Sequence, residues 1–341
     1  MLKKGSQLFK IGNKIIGGKF SAFFIAEAGI NHNGSLKIAK KMVDSAYESG
    51  ADAVKFQTFK ADDLTSPQSI YHNLFKKLEL SDSDFGEISD YARSKKIIFL
   101  STPFSNNAID VLNKLKVPAF KIASGDLTDL PLIRYAALKQ KPILLSTGMA
   151  TMDEIELSIK EILKTKNEKI ALFHSVSAYP TPYNETNLLA INTIKKKFAY
   201  PIGFSDNGDD LLVPEVAVSL GAKIIEKHFT LDKKMRGPDH KLSANPKQMK
   251  QLISNIRKIE QILGDGEKKT QNSEKDGLVS IRRSIIANRD LVKGTKLTSD
   301  MIKIARPAKG IEPRFFDEII GKYIKRKISK NSPIRWTSLK D

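Results

Sequence analysis

Short apolar segments, each bounded by turn residues, recur along most of the chain. Their hydrophobicity is continuous rather than alternating, which is typical of parallel strands buried on both faces. We identify eight of them, at 23–31, 51–59, 97–104, 119–127, 142–149, 170–177, 201–207 and 222–230. The pattern therefore predicts eight strands of one parallel sheet.

Amphipathic helical patterns separate most of these strands. Segment 35–50 has apolar residues at helical spacing and ends at Gly50, a residue type that commonly follows a helix. Thr151 precedes Glu154 by three residues, the spacing of a capping box. Alternating strands and helices predict an α/β fold, a (β/α)8 TIM barrel. An open doubly wound sheet is the alternative, but no G-x-G-x-x-G motif follows the first strand.

A change in composition marks a domain boundary. Residues 264–277 are polar and charged, and we predict a linker at 266–279 between a catalytic barrel at 1–265 and a second domain at 280–341. The second domain contains short apolar segments separated by turns. We therefore expect a small β-rich domain after the barrel.

Composition narrows the class of protein. The 341 residues include no cysteine, which excludes disulfides and thiolate metal sites and favours a cytoplasmic location. No segment approaches the ~18 apolar residues of a membrane span, so we expect no membrane association. The net charge of +19 raises the possibility of nucleic-acid binding. The basic residues are spread in short pairs without interleaved aromatics, so we expect no nucleic-acid partner.

The predicted strands end in polar residues. In a TIM barrel the carboxyl ends of the strands form the active site. Lys55 and Lys121 lie within apolar strands, where an ammonium group is costly to bury unless an anion offsets it. Ser124, Ser146 and Ser205 offer hydroxyl donors of the kind that phosphate oxygens accept. These residues predict an enzyme that binds a phosphorylated, acidic small molecule.

Two stretches near the end of the predicted barrel suggest a metal site. The segment PIGFSDNGDD, at 201–210, has carboxylates and an amide but no histidine. His228 ends the eighth strand, and its residue type fits a metal ligand, a general base or a core histidine. Residue type alone leaves these three roles open.

Several short sequences occur in a fixed order along the chain. They are FIAEAGINHNG, GADAVKFQTF, STPF, KIASGD, LLSTGMA, AYPTP, GFSDN and EKHFTLDKKMRGPDH. Together they resemble the bacterial sialic acid synthase family, and RSIIANRDLVKGTKLTSDMIKIARP resembles its antifreeze-like (SAF) domain. The resemblance covers essentially the whole chain. It implies a TIM barrel followed by a SAF domain that is exchanged within a homodimer.

The resemblance also implies a reaction. Members of the family condense phosphoenolpyruvate with an open-chain N-acyl amino sugar and release phosphate by C–O cleavage. The product is a nine-carbon, sialic-acid-type 2-keto acid, and Mn²⁺ or Mg²⁺ is the usual metal. The acceptor is N-acetylmannosamine or a 2,4-diacetamido-2,4,6-trideoxyhexose, and the sequence does not decide between them.

Roles for individual residues follow from the same resemblance. Phosphoenolpyruvate is expected at Lys55, Lys121, Ser124, Ser146, Ser177 and Ser205. The catalytic and sugar-contacting residues are expected to be Glu27, Asp126, Tyr179 and Asp239, with Arg306 supplied by the partner chain. The metal ligands are expected to be His228 and Asn207.

Three of these positions depart from the family pattern. Asn207 stands where relatives place a second metal-binding histidine, Ser177 where many have asparagine, and Asp126 where glutamate is commoner. An amide oxygen can bind Mg²⁺ or Mn²⁺, so we expect Asn207 to be a ligand with reduced metal affinity. A metal-impaired family member is the alternative.

Two other enzyme classes stay open. One is a barrel synthase that condenses phosphoenolpyruvate with a sugar phosphate, although such a site should show a second basic cluster. The other is a Schiff-base aldolase that uses Lys121.

Overall fold

A two-stranded antiparallel hairpin precedes the barrel in the computed structural model, which describes residues 8–341. Its strands are β1 (Phe9–Ile11) and β2 (Lys14–Ile16). Phe9, Ile11 and Ile16 are buried against the first residues of the barrel strands, such as Phe23 and Ile224. The hairpin therefore covers the amino-terminal end of the barrel interior. The sequence analysis did not predict it.

Eight parallel strands form the barrel and confirm the predicted fold class. They are β3 (Phe23–Gly29), β4 (Ala53–Thr58), β5 (Ile98–Pro103), β6 (Phe120–Ile122), β7 (Ile143–Ser146), β8 (Ile170–His174), β9 (Ile202–Asp206) and β10 (Ile224–His228). The hydrogen-bonded order is β5-β4-β3-β10-β9-β8-β7-β6, and β5 lies beside β6 to close the barrel. Each strand lies within its predicted segment. The predicted segments extend further at their carboxyl ends than most of the strands do, so several of their polar residues lie in loops.

Within residues 8–341, ten α-helices surround or connect the barrel strands. They are α1 (Leu36–Glu48), α2 (Ala61–Leu64), α3 (His72–Leu78), α4 (Asp82–Ser94), α5 (Asn106–Lys114), α6 (Leu130–Leu138), α7 (Met152–Lys164), α8 (Ala190–Phe198), α9 (Leu212–Ser219) and α10 (Pro246–Leu263). Thr151 and Glu154 form the predicted capping box of α7. Gly50, with φ of +85°, lies just beyond the end of α1.

The strand residues alternate between two apolar layers. Ile202, Phe204 and Ile225 pack towards the surrounding helices. Phe173 and Ile224 belong instead to the inner core within the barrel. Because successive side chains of a strand point to opposite faces, this alternation also fixes which polar residues at the strand ends face the barrel interior.

A second compact unit extends from Asp265 to Asp341 and has its own apolar core. It contains α11 (Lys275–Ser280), β11 (Ser284–Ala287), β12 (Ile302–Ala305), α12 (Phe316–Ile319), β13 (Tyr323–Ile324) and β14 (Leu339–Lys340). The predicted linker at 266–279 therefore includes most of a short helix. Gln271 and Glu274 form a capping box that satisfies amide groups just before this helix.

In the part of the chain that the structure describes, none of the helices combines the length and the apolar character that a membrane crossing requires.

The tight packing of the barrel wall predicts that Gly203 cannot be enlarged. A Cβ atom at Gly203 would lie 2.8 Å from two ring carbons of Phe173 and 3.0 Å from the carbonyl oxygen of Ile224. We expect Gly203→Ala to lower the free energy of unfolding by about 1–3 kcal/mol, measured by urea denaturation. Gly86→Ala is the matched control, because Gly86 lies within α4 and its nearest neighbour would be 3.9 Å away. This control should leave stability unchanged or raise it by up to about 1 kcal/mol. Equal stability of Gly203→Ala and the unsubstituted chain would contradict the packing described here.

Candidate active site

Four buried ionisable side chains meet inside the mouth of the barrel. Glu27, Lys55, Lys121 and Glu226 come from β3, β4, β6 and β10. The Lys55 Nζ lies 2.8 Å from Glu27 Oε2 and 3.7 Å from Glu226 Oε2. The Lys121 Nζ lies 3.8 Å from Glu226 Oε1. Glu226 therefore stands between two cations that are far apart in the sequence.

Burial and charge act against each other in this cluster. Burial raises the pKa of Glu27 to about 7, although Lys55 opposes the shift. Burial lowers the pKa of Lys121 to about 8, an effect that Glu226 opposes. Burial also disfavours the charged forms of Lys55 and Glu226, but opposite charges prevail, so the pKa of Lys55 is raised and that of Glu226 is lowered. At neutral pH the cluster therefore favours an anionic ligand.

A set of small hydroxyl groups lies at the ends of the neighbouring strands. Ser146 ends β7, and the backbone N–H of Gly148 donates to Ser124 Oγ over 3.0 Å. A Cβ atom at Gly148 would lie 2.8 Å from Ser124 Oγ and even closer to Ser177 Oγ. The structure thus brings Ser124 and Ser177 together around a glycine. Ser205, on β9, instead donates to Glu226 Oε1 over 2.9 Å.

Asp126 and Tyr179 lie nearer the solvent than the buried cluster does. Burial, followed by the charge of Asp129, raises the pKa of Asp126 to about 6. The buried Oδ2 of Asp126 accepts no hydrogen bond. Tyr179 is 56% exposed, and its ring stands edge-on to that of His228 with centroids 5.8 Å apart. Both side chains are thus available at the rim of the site.

Two potential metal ligands lie close together beside this cluster, and a third, Asn207, follows the neighbouring strand β9. His228 Nδ1 is buried, makes no hydrogen bond and lies 4.0 Å from Asp239 Oδ2. The amide nitrogen of Asn207 donates to the carbonyl oxygen of Val176 over 2.7 Å, a bond that does not use its amide oxygen. One imidazole nitrogen, one carboxylate oxygen and one amide oxygen form a donor set that suits Mn²⁺ or Mg²⁺. The residues therefore fit the expected metal.

The loop that carries Asp239 is held by hydrogen bonds at several points. Ser243 donates to the carbonyl oxygen of Asp239 through its N–H, over 3.1 Å, and through its Oγ, over 2.6 Å. His240 Nδ1 lies 2.7 Å from Thr230 Oγ1. Asn33 Nδ2 donates to the carbonyl oxygen of Arg236 over 3.0 Å. These bonds fix the position of Asp239 relative to His228.

The barrel residues predicted from the sequence all belong to the mouth of the barrel, whereas Arg306 lies in the second unit. Arg306 is exposed and follows β12 directly. The sequence analysis missed Glu226 as a member of the site, and it also missed Thr102, whose Oγ1 accepts from Lys55 Nζ over 2.9 Å. Glu226 lies two residues before His228 on one strand, so its side chain shares the inner face. The two-residue spacing from His228 is the sequence feature from which the position of Glu226 in the site could have been predicted.

Comparisons with known proteins identify a protein family, a domain and several relatives that this chain resembles. Residues 42–268 match the NeuB family, and residues 282–340 match the SAF domain. An uncharacterized protein of Methanocaldococcus jannaschii is 47% identical over 97% of this chain and 98% of its own length. The N,N'-diacetyllegionaminic acid synthase of Legionella pneumophila is 40% identical over 95% of this chain and 96% of its own. A crystal structure of N-acetylneuraminic acid (sialic acid) synthetase from Leptospira borgpetersenii, in complex with citrate, is similar with a TM-score of 0.77 and 37% identity. The structural match covers 80% of this chain and 96% of the synthetase chain.

The space around Gly148 yields a prediction about phosphate binding. A methyl group in Gly148→Ala would displace the hydroxyl groups of Ser124 and Ser177. We expect this variant to bind phosphoenolpyruvate about tenfold or more weakly, which corresponds to the loss of one or two hydrogen bonds to a charged group. Isothermal titration calorimetry measures the affinity. Gly125→Ala is the control, because a Cβ atom there meets no atom within 4 Å. If Gly148→Ala binds phosphoenolpyruvate as tightly as Gly125→Ala does, Ser124 and Ser177 do not hold this ligand.

Proposed function

This chain belongs to the NeuB family, and on that premise we propose that it condenses phosphoenolpyruvate with an N-acyl amino sugar. The product is a nine-carbon 2-keto acid, and phosphate is released. The observation that carries the proposal is the buried pair of Lys55 and Lys121 beside a set of serine hydroxyls. The acceptor that we favour is 2,4-diacetamido-2,4,6-trideoxymannose, because relatives named legionaminic acid synthases are 40% identical and those named pseudaminic acid or N-acetylneuraminate-9-phosphate synthases are 34% identical.

Binding of phosphoenolpyruvate follows from charge. The ligand carries a phosphate and a carboxylate, and the two ammonium groups of Lys55 and Lys121 offset them in a site without bulk water. Ser124, Ser146 and Ser177 donate hydrogen bonds to the phosphate oxygens. Glu226 lies 3.7 Å from the Lys55 ammonium and 3.8 Å from the Lys121 ammonium, beyond hydrogen-bond distance of both. Lys121 can therefore turn to the ligand, whereas Lys55 stays paired with Glu27 at 2.8 Å and contributes its charge from that position.

The bond changes set the roles of the carboxylates. C3 of phosphoenolpyruvate forms a bond to the aldehyde carbon of the sugar, whose oxygen takes up a proton. Positive charge then develops at C2, where ionised Glu27 stabilises it. Water adds to C2 and loses a proton, and the C–O bond to phosphate breaks to leave the 2-keto group. Asp126, with a pKa of about 6, lies at the rim and contacts the sugar hydroxyls.

His228, Asn207 and Asp239 would hold the divalent metal. When bound, Mn²⁺ or Mg²⁺ acts as a Lewis acid towards the aldehyde oxygen. Burial lowers the pKa of His228, which keeps its imidazole neutral and able to ligate. The Asn207 amide is fixed by its bond to Val176, so its oxygen needs no rearrangement.

The second unit completes the enzyme in this proposal. The unit matches the SAF domain, and we propose a homodimer in the cytoplasm in which Arg306 of one chain contacts the N-acyl group bound in the partner's barrel. An exposed guanidinium is suited to this role because it presents several donors in one plane.

A phosphate-release assay tests the proposed function. Enzyme, phosphoenolpyruvate and Mn²⁺ or Mg²⁺ are mixed with N-acetylmannosamine, 2,4-diacetamido-2,4,6-trideoxymannose or its altrose epimer. We expect sugar-dependent release of phosphate, with 2,4-diacetamido-2,4,6-trideoxymannose preferred. Absence of release with every combination would reject the proposal.

The lowered pKa of Lys121 also favours a second candidate, a Schiff-base aldolase, because a neutral amine is the nucleophile in that reaction. Borohydride reduction separates the two functions. A covalent adduct on Lys121 in the presence of substrate would support the aldolase, and active enzyme without an adduct would exclude it.

The same pKa predicts how phosphoenolpyruvate binding depends on pH. Lys121 loses its proton above about pH 8, whereas Lys55, whose pKa is raised, keeps its charge. The dissociation constant should therefore rise by roughly an order of magnitude between about pH 8 and about pH 9.5. Lys121→Arg should remove most of this dependence, because a guanidinium stays charged. Calorimetry across this range measures it, and an affinity that is flat in the unsubstituted enzyme would contradict the assignment.

Asn207 can be tested directly as a ligand. We expect Asn207→His to bind Mn²⁺ at least about tenfold more tightly, the scale on which even second-shell residues affect affinity. Asn207→Ala should bind it more weakly, because it removes a ligand. Electron paramagnetic resonance of free Mn²⁺ measures both. If neither substitution changes the affinity, Asn207 is not a ligand.

A further inference from the structure

A fully buried ion pair lies directly behind the candidate metal site. Lys227 and Asp206 are 0% and 2% exposed, and the Lys227 Nζ lies 2.6 Å from Asp206 Oδ2. The same ammonium donates to the carbonyl oxygen of Gly208 over 2.6 Å. The N–H of Gly208 in turn donates to Asp206 Oδ1 over 2.9 Å. These bonds close a compact network around residues 206–208.

The network is on the opposite side of the barrel wall from the ligand site. Asp206 and Lys227 are direct partners in the register of β9 and β10. By strand alternation they share the helix-facing layer with Phe204 and Ile225, whereas Ser205 and Glu226 face the interior. The charged pair therefore points away from the charged cluster of Glu27, Lys55, Lys121 and Glu226, towards the surrounding helices.

Stability gives no sufficient reason for such a pair. Removing two charges from water is costly, and a buried ion pair can often be replaced by apolar residues without loss of stability. The pair instead fixes the geometry of the turn after β9. Three of its bonds converge on the turn that follows β9, at the point where the chain leaves the sheet.

The position of the pair in the sequence connects it to the metal site. Asp206 immediately precedes Asn207, and Lys227 immediately precedes His228. One ion pair thus joins the two strand ends that carry two of the three proposed ligands, Asn207 and His228. We propose that Lys227 and Asp206 are positioning residues that set the separation of Asn207 from His228 and so determine metal affinity. This inference rests on the metal site within the proposed function.

The test separates positioning from stability. The double variant Asp206→Asn, Lys227→Met leaves no buried charge, and the new amide can still accept from Gly208. We expect it to unfold within a few degrees of the unsubstituted enzyme but to bind Mn²⁺ about tenfold or more weakly, the usual effect of residues behind metal ligands. Thermal denaturation and electron paramagnetic resonance give the two readouts.

A second ion pair, elsewhere in the barrel, provides the matched control. Arg257 Nη2 lies 3.0 Å from Asp52 Oδ2, and Asp52 precedes β4, at the amino-terminal end of the barrel. The double variant Asp52→Asn, Arg257→Met should lose stability without loss of Mn²⁺ affinity. A general effect of removing an ion pair would instead weaken Mn²⁺ binding in both double variants, and that result overturns the proposal.

Gly208→Ala keeps the test decisive if the double variant does not fold. A Cβ atom at Gly208 would lie 3.1 Å from Asp206 Oδ1, so it shifts the turn while both charges remain. We expect weaker Mn²⁺ binding here too. Unchanged affinity in a folded variant overturns the proposal, as does an unsubstituted enzyme that binds no Mn²⁺. Phosphate release by the unsubstituted enzyme tests the proposed function separately.

Discussion

Two buried ammonium groups share the barrel mouth with two carboxylates, and the balance of these charges governs the rest of the site. Lys55 and Lys121 both face Glu226, at 3.7 and 3.8 Å, so one carboxylate serves two cations. Glu27 supplies only part of a second negative charge near neutral pH, because burial raises its pKa to about 7. The cluster therefore lacks negative charge unless a ligand provides it. A ligand with both a phosphate and a carboxylate is suited to fill that deficit.

Much of this arrangement could be predicted from the sequence, since hydrophobic pattern and barrel geometry together bring polar strand ends to one place. The role of Glu226 could not, because its distances to Lys55 and Lys121 depend on how three non-adjacent strands close around the axis. The hairpin β1–β2 escaped prediction because three-residue strands show no measurable periodicity. The helix in the predicted linker follows a short 3-10 turn that begins at a capping box of Gln271 and Glu274, and the polar composition concealed both.

Strands β9 and β10 show how one pair of strands serves two purposes. Their inward residues, Ser205 and Glu226, belong to the charged cluster. Their outward residues, Asp206 and Lys227, form the network around the turn. Because alternation is a property of the backbone, the side chains of the ligand site and those that support it follow each other along the same strand. The positions of both groups are thus coupled without any intervening element.

This coupling explains how an amide could serve where an imidazole is usual. A neutral amide oxygen is a modest ligand, and a freely rotating side chain would lose further affinity on becoming ordered. Asn207 does not rotate freely, because its nitrogen donates to Val176 on one side and its backbone follows the fixed carboxylate of Asp206 on the other. If its oxygen binds the metal, as we propose, that oxygen loses little rotational freedom on binding. In such a site, affinity depends as much on the rigidity of the turn as on the identity of the ligand atom.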